Sequence, residues 1–178
     1  MNKKRCSWVT DDEIYIKYHD EEWGIPTYDD KELFEMLVLE SFQAGLSWIT
    51  ILKKRENFKK AFDDFNVVKV ADYSEDKINE LLDNEGIIRH KGKITSAINN
   101  AKIFIDIQKE FGSFSNYIWS FTDGEIIKSE YMTESELSKK ISKDLKKRGM
   151  KFVGPTIIYS YLESIGIIDN HEKDCFRY

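Results

Sequence analysis

From Leu33 to Trp48 the chain reads LFEMLVLESFQAGLSW, with apolar residues recurring at helical spacing. At about 100° per residue, Leu33, Met36, Leu37 and Ala44 fall on one stripe, and Glu40 projects from the middle of it. The same period predicts helices along the rest of the chain. Thr10 with Glu13 reads as a capping box that opens a helix to about Glu22, with Ile14 and Tyr18 on one face, and Gly24 and Pro26 end it. Asp29 with Glu32 opens the helix that carries Glu40, Gly45 and Ser47 break it, and a further helix from about Ser47 to Phe62 buries Trp48, Ile51, Leu52, Phe58 and Phe62. Ser74 caps a helix with Ile78, Leu81 and Leu82 inward, which Gly86 stops. Ile94, Ala97, Ile98, Ala101, Phe104, Ile105 and Gln108 mark a long helix closed by Gly112, and Ser113 to Phe121 suggests a short aromatic one. Residues 125–131 read as extended. Thr133 with Glu136 is a third capping box, opening a helix with Leu137, Ile141 and Leu145 that ends at Gly149. Gly154-Pro155 starts a final helix with Ile158, Tyr161, Leu162 and Ile165 inward. The expected fold is all-α, a bundle of about eight helices.

Composition narrows the class. At 178 residues the chain is one globular domain, or two small helical lobes with a pocket between them. With 41% hydrophobic and 33% charged residues it is neither disordered nor fibrous. No apolar run approaches the roughly 20 residues of a membrane span, and the basic start of MNKKRCSWVTDDE has no apolar region after it. The expectation is a cytoplasmic protein, monomeric and without a membrane partner.

A net charge of -5 argues against a nucleic-acid partner for the chain taken as a whole, but the charge is uneven. Lys139 to Lys151 holds seven basic residues against Asp144 alone, and Lys53 to Lys60 holds five against Glu56. Either run is a solvated face or part of a local basic surface.

Three constellations carry candidate chemistry. A glutamate on a buried stripe costs several kcal/mol unless it is paired or faces a polar ligand, so Glu40 is either a structural ion-pair partner or part of a site. Tyr15, Tyr18, Trp23 and Trp48 stand near it in sequence, and an acid among aromatic rings suits a flat cationic or electron-poor ligand. Second, four of the chain's five His and Cys residues, Cys6, His19, His171 and Cys175, lie near its two ends. His171 and Cys175 share one helical face, and a Cys2His2 set would close the coordination of Zn²⁺ and fasten the termini together. The alternative is four unrelated residues, since the spacing fits no standard finger. Third, LKKRGMKFVGPT at Leu145 to Thr156 joins two helices by a short hairpin whose backbone N–H groups can hold a phosphate, with Lys146, Lys147, Arg148 and Lys151 around it. An ordinary αα-hairpin with a soluble surface would read the same way.

With these in place, the chain resembles the 3-methyladenine DNA glycosylase I family of the helix-hairpin-helix superfamily over nearly its full length. The resemblance is carried by RCSWV, YIKYHDEEWGIP, KELFEMLVLESFQAGLSWITILKKRENF, GIIRHKGKI, LKKRGMKFVGPTIIYSY and HEKDC. It implies a DNA repair enzyme that flips 3-methyladenine out of alkylated double-stranded DNA, hydrolyses its N-glycosidic bond and releases the free base. It assigns Glu40 to hydrogen-bonding the base and Tyr18, Trp48, Trp8 and Trp23 to the pocket. It assigns Gly149, Lys151, Gly154 and Thr156 to the DNA backbone, and Cys6, His19, His171 and Cys175 to a structural zinc. Two departures from the wider superfamily stand out. Thr156 occupies the position of the lysine of strand-cleaving relatives, so no lyase activity is expected, and Phe152 replaces the hairpin's first glycine. Asp169 and Asp174 lie near the place of the superfamily's catalytic aspartate, but this family is understood to lack it, and neither is given that role.

Overall fold

The computed structural model describes residues 3–178. Among them are nine α-helices: α1 Glu13–Glu21, α2 Asp30–Gln43, α3 Trp48–Ala61, α4 Val67–Ala71, α5 Glu75–Asp83, α6 Lys91–Phe111, α7 Phe114–Ser120, α8 Glu136–Lys147 and α9 Pro155–Ser164. A 3₁₀ turn at Asp63–Phe65 and two short strands, β1 Ile127–Lys128 and β2 Ile168–Asp169, complete the order. The strands pair in parallel, Ile127 opposite Ile168 and Lys128 opposite Asp169, so the expected extended segment does no more than tie a loop to the C-terminal end of the bundle. Among the described residues no helix is long and apolar enough to cross a membrane.

Helix α2 is the axis of the molecule. Every residue from Leu33 to Phe42 is buried, because α3, α6, α7 and α9 enclose it on all sides. The single apolar stripe read from the sequence is therefore too narrow a description, and Ala44, placed on it, lies past the last turn as the C-cap. Asp29 caps the helix as expected, accepting from Glu32 N at 3.1 Å. At the other end the Lys93 ammonium, buried on α6, donates to the carbonyls of Phe42 (2.9 Å) and Ala44 (2.6 Å), satisfying terminal acceptors where the helix dipole favours a cation.

Two helix starts differ from the sequence reading. Asp12, not Thr10, caps α1, and Ser135 with Ser138, not Thr133 with Glu136, forms the box that opens α8. In both cases a capping side chain two residues nearer the first helical turn reaches the unpaired N–H groups, and Thr10 instead accepts from Asp12 N. The 3₁₀ turn and α4 were not anticipated. Asp63, Asp64 and Phe65 hold successive φ values of 51°, 53° and 54°, a left-handed turn without glycine that no residue pattern announces.

Candidate active site

Helix α2 carries two buried acids that meet different fates. Glu35 accepts from Arg55 Nε at 2.7 Å, and the same guanidinium holds Glu22. That is the structural ion pair that a buried glutamate ordinarily implies. Glu40, 3% exposed, has no such partner, and its Oε2 is buried without a hydrogen bond. Burial, and then the nearby Glu163, hold its pKa well above the usual carboxylate range. An acid left so is kept protonated by its surroundings, and its unpaired oxygen is open to a polar or cationic ligand.

The space in front of Glu40 is a cavity of about 210 Å³ lined by Trp8, Tyr15, Tyr18, Trp23, Gln43, Trp48, Ser160 and Glu163. Helix α1 supplies Tyr15 and Tyr18, the segments on either side of it supply Trp8 and Trp23, and Trp48 opens α3 just after the Gly45 bend, where φ is 78°. The rings brace one another: Trp8 meets Trp23 at 5.1 Å and Tyr15 at 5.4 Å edge to face, and Tyr18 meets Trp48 at 5.6 Å. Trp48 Nε1 is a second buried polar atom without a partner. All six residues singled out around Glu40 in the sequence, Glu40 included, therefore converge. Gln43, Ser160 and Glu163 were missed. Gln43 follows Glu40 by three residues and was legible as its neighbour on the helix; Glu163 sits among the apolar residues of α9 much as Glu40 does on α2, a signal of the same kind left unread.

The hairpin between α8 and α9 is fastened from beneath. Asn99 donates to Gly149 O, Asn100 to Lys151 O, Ser41 to Phe152 O and Ser142 to Val153 O, while Asn100 also accepts from Lys151 N. With these carbonyls turned inward, Gly154 caps α9 with Pro155 at its first position, and Lys151 and Thr156 are exposed beside it. Phe152 adopts φ 54°, so it holds the left-handed conformation that a glycine would favour at this position. Lys146 and Lys147 are exposed nearby, whereas Arg148 is tied to Asp144 and Glu110. The other basic run is largely used within the protein, Lys53 on Asp12, Arg55 on Glu22 and Glu35, Lys59 on Glu35 and Glu56.

The terminal Cys and His residues also meet. Ligand atoms of Cys6, His19 and Cys175 lie within 4.8 Å of one another, all buried. His171 stands beside this trio, its ring 5.4 Å from that of His19, with a buried Nε2 that has no partner. Each histidine bonds a carboxylate through Nδ1, His19 to Asp20 at 2.9 Å and His171 to Asp169 at 2.7 Å, which leaves each Nε2 able to ligate a cation. Backbone N–H groups of Glu172 and Arg177 point at the sulfurs of Cys6 and Cys175, each at 3.4 Å. Without a cation, burial pushes the Cys6 thiol up to about 12. Two soft thiols, two oriented imidazoles and an orphaned nitrogen suit a tetrahedral divalent ion such as zinc. Asp169 is thus engaged by His171, and Asp174 by the exposed Lys4.

Comparison with known proteins agrees with this arrangement. The family described as methyladenine glycosylase matches residues 8–178. The DNA-3-methyladenine glycosylase 1 of Escherichia coli (strain K12) is 45% identical over 98% of this chain and 97% of its own, and the DNA-3-methyladenine glycosylase of Haemophilus influenzae is 44% identical over 96% of each. A crystal structure of a 3-methyladenine DNA glycosylase I superposes with a TM-score of 0.94 at 45% identity, covering 97% of this chain and 98% of that one. The Staphylococcus aureus enzyme, solved to explain 3-methyladenine recognition, superposes at 0.93 with 41% identity, over 97% of this chain and 95% of that one. The chain belongs to the methyladenine glycosylase family, and it is an enzyme of that family.

Proposed function

We propose that the enzyme excises 3-methyladenine from alkylated double-stranded DNA by hydrolysis, releasing the free base and leaving an uncut abasic site. The observation that carries this reading is the unpartnered Glu40 carboxyl at the floor of an aromatic cavity of about 210 Å³. A base inside a duplex is out of reach of such a cavity, so the damaged nucleotide is flipped out, and a damaged base is the least costly to unstack. Methylation at N3 leaves adenine positively charged. Trp8, Tyr18, Trp23 and Trp48 surround that charge, and a ring that presents its face to it contributes about 0.5–2 kcal/mol. Glu40 ionises against the cation and accepts from its N–H edge.

The chemistry then asks little of the protein. As the bond from the anomeric carbon to N9 breaks, its electron pair neutralises the base, which leaves without an added proton. Water forms the new bond to the anomeric carbon and gives up its proton to the surrounding solvent. Of Gly149, Lys151, Gly154 and Thr156, the last two hold the DNA backbone through N–H groups at the first turn of α9 and Lys151 through its exposed ammonium, while Gly149, its own N–H bonded to Lys146 O as that of Lys151 is to Asn100, shapes the turn between them. Thr156 offers no amine with which to form a Schiff base, and Asp169 is occupied by His171, which supports a monofunctional hydrolase. Cys6, His19, His171 and Cys175 would hold a structural Zn²⁺, which when bound supplies a cross-link between the chain's two ends and takes no part in the hydrolysis.

The test is release of free 3-methyladenine from alkylated duplex DNA, with 7-methylguanine followed in the same sample and Glu40→Ala run beside it. The expected result is 3-methyladenine release that falls by about a hundredfold in the variant, the scale of a lost charge-assisted contact. No release of either base by folded, zinc-loaded protein overturns the reading, and release of 7-methylguanine in preference assigns the pocket to a different alkylated purine.

A further inference from the structure

Among the described residues three glutamates are buried, Glu35, Glu40 and Glu163. Glu35 is paired with Arg55. Among the described residues, the carboxyls of the other two have neither a salt bridge nor a hydrogen bond, and both open into the same cavity, where no basic side chain lies. Glu40 comes from α2 at 3% exposure and Glu163 from the last turn of α9 at 9%, nearer the mouth. The groups that face Glu163 are Glu40 on α2, Tyr15 and Tyr18 on α1 and, on its own helix, Tyr159. The structure assigns Glu163 as a second, specificity-determining acid of the base pocket, which with Glu40 makes the cavity demand a positively charged purine and disfavour a neutral one. This rests on the reading of the cavity as the base site.

The physical case is one of charge count. Two carboxyls side by side in a small aromatic cavity cannot both ionise while it is empty, because each repels the other and neither is well solvated. Burial pushes Glu163 up to about 8, while Glu40, deeper and beside it, lies well above the carboxylate range. A neutral purine leaves both protonated and gains nothing from their charge. A cation lowers both pKa values, and Glu163, already poised near neutrality, ionises with the smallest change. The tyrosines, pushed above their ordinary values by burial, stay neutral throughout. Glu40 holds the base; the second acid widens the gap between the charged base and the uncharged one.

The probes are 3,9-dimethyladeninium, whose charge is permanent, and neutral 9-methyladenine, titrated against the zinc-loaded full chain, Glu163→Gln and Glu163→Asp. The wild-type protein should prefer the cation, and this preference should grow from pH 6 to pH 8.5. In Glu163→Gln the preference should fall by roughly tenfold at neutral pH and lose its pH dependence, with the affinity for 9-methyladenine unchanged. Glu163→Asp should restore most of it. A Glu163→Gln protein that keeps the full preference, or that loses affinity for both probes equally, overturns the inference while excision of 3-methyladenine by the wild type leaves the functional reading standing. A wild-type protein that neither binds the cation nor excises the base overturns both.

Discussion

At the scale of single residues, the two unpaired acids cost stability in a direction that pH reveals. A carboxyl whose pKa is raised on folding binds its proton more tightly in the native state than in the unfolded chain. Its contribution is full below the ordinary carboxylate pKa and is lost as pH rises toward the native value, about 8 for Glu163. Replacing it with the uncharged amide should therefore raise the melting temperature at pH 8 and leave it almost unchanged at pH 4.5. An equal shift at both pH values would show that Glu163 titrates normally. Gly24 is the complementary case, a residue required by what it lacks. Its φ is 73°, and a Cβ there would stand 2.6 Å from His171 Cε1. Gly24→Ala should cost at least about 2 kcal/mol and weaken zinc retention, since the backbone strain and the displaced imidazole act together. Retention of both stability and metal would mean that His171 has room to move. Glu40 was legible in the sequence because a charge on an apolar stripe is conspicuous; Gly24 read only as a helix stop, because the ring that crowds it arrives from 147 residues away.

At the scale of elements, the hairpin and the pocket are separable. The turn from Gly149 to Val153 is held by side chains of α2, α6 and α8, above all Asn100, which both donates to and accepts from Lys151. Asn100→Ala removes both bonds and leaves the Lys151 N–H and carbonyl without their partner, a loss of about 1–3 kcal/mol that falls on the hairpin. Affinity for undamaged duplex should drop, while affinity for free 3-methyladenine stays at the wild-type value. If base affinity falls as well, the hairpin and the pocket are one cooperative unit. Sequence pattern found α8, the turn and α9, since Gly149, Gly154 and Pro155 are strong punctuation. It could not find Asn99, Asn100, Ser41 and Ser142 as the supports, because polar residues on long helices read as surface until the tertiary neighbour is known. The start of α1 and α8 failed for a related reason: several side chains near a helix end can cap, and position relative to the first turn decides among them. The left-handed turn at Asp63–Phe65 defeats pattern altogether, as it is stabilised by contacts such as Tyr73 on Asp63 and Lys31 on Asp64.

At the scale of the whole molecule, the two ends of the chain build the wall of the pocket, and the Cys and His cluster decides whether that wall stands. Trp8 lies two residues after Cys6, and its ring meets that of His19 at 5.5 Å; Trp23 stacks on His19 at 6.0 Å and meets His171 at 4.7 Å edge to face. Two of the five aromatic residues that line the cavity are thus packed on the residues proposed to hold zinc. The floor, Glu40, and the opposite wall, Trp48, are mounted on α2 and α3, which carry none of those residues. Removal of the ion should leave two buried thiols and an orphaned imidazole nitrogen with no compensation, so the N-terminal segment and the C-terminal end separate while the central bundle persists. Chelation should accordingly lower the melting temperature, weaken 3-methyladenine binding by at least about tenfold through loss of two stacking partners, and spare far-ultraviolet helicity and duplex binding at the hairpin. Cys175→Ala should reproduce the chelated state, and added zinc should rescue the chelated wild type but not the variant. If chelation unfolds every helix, the ion supports the whole core, not one wall of the site; if it changes neither stability nor base affinity, the terminal cluster holds its rings in place by packing alone.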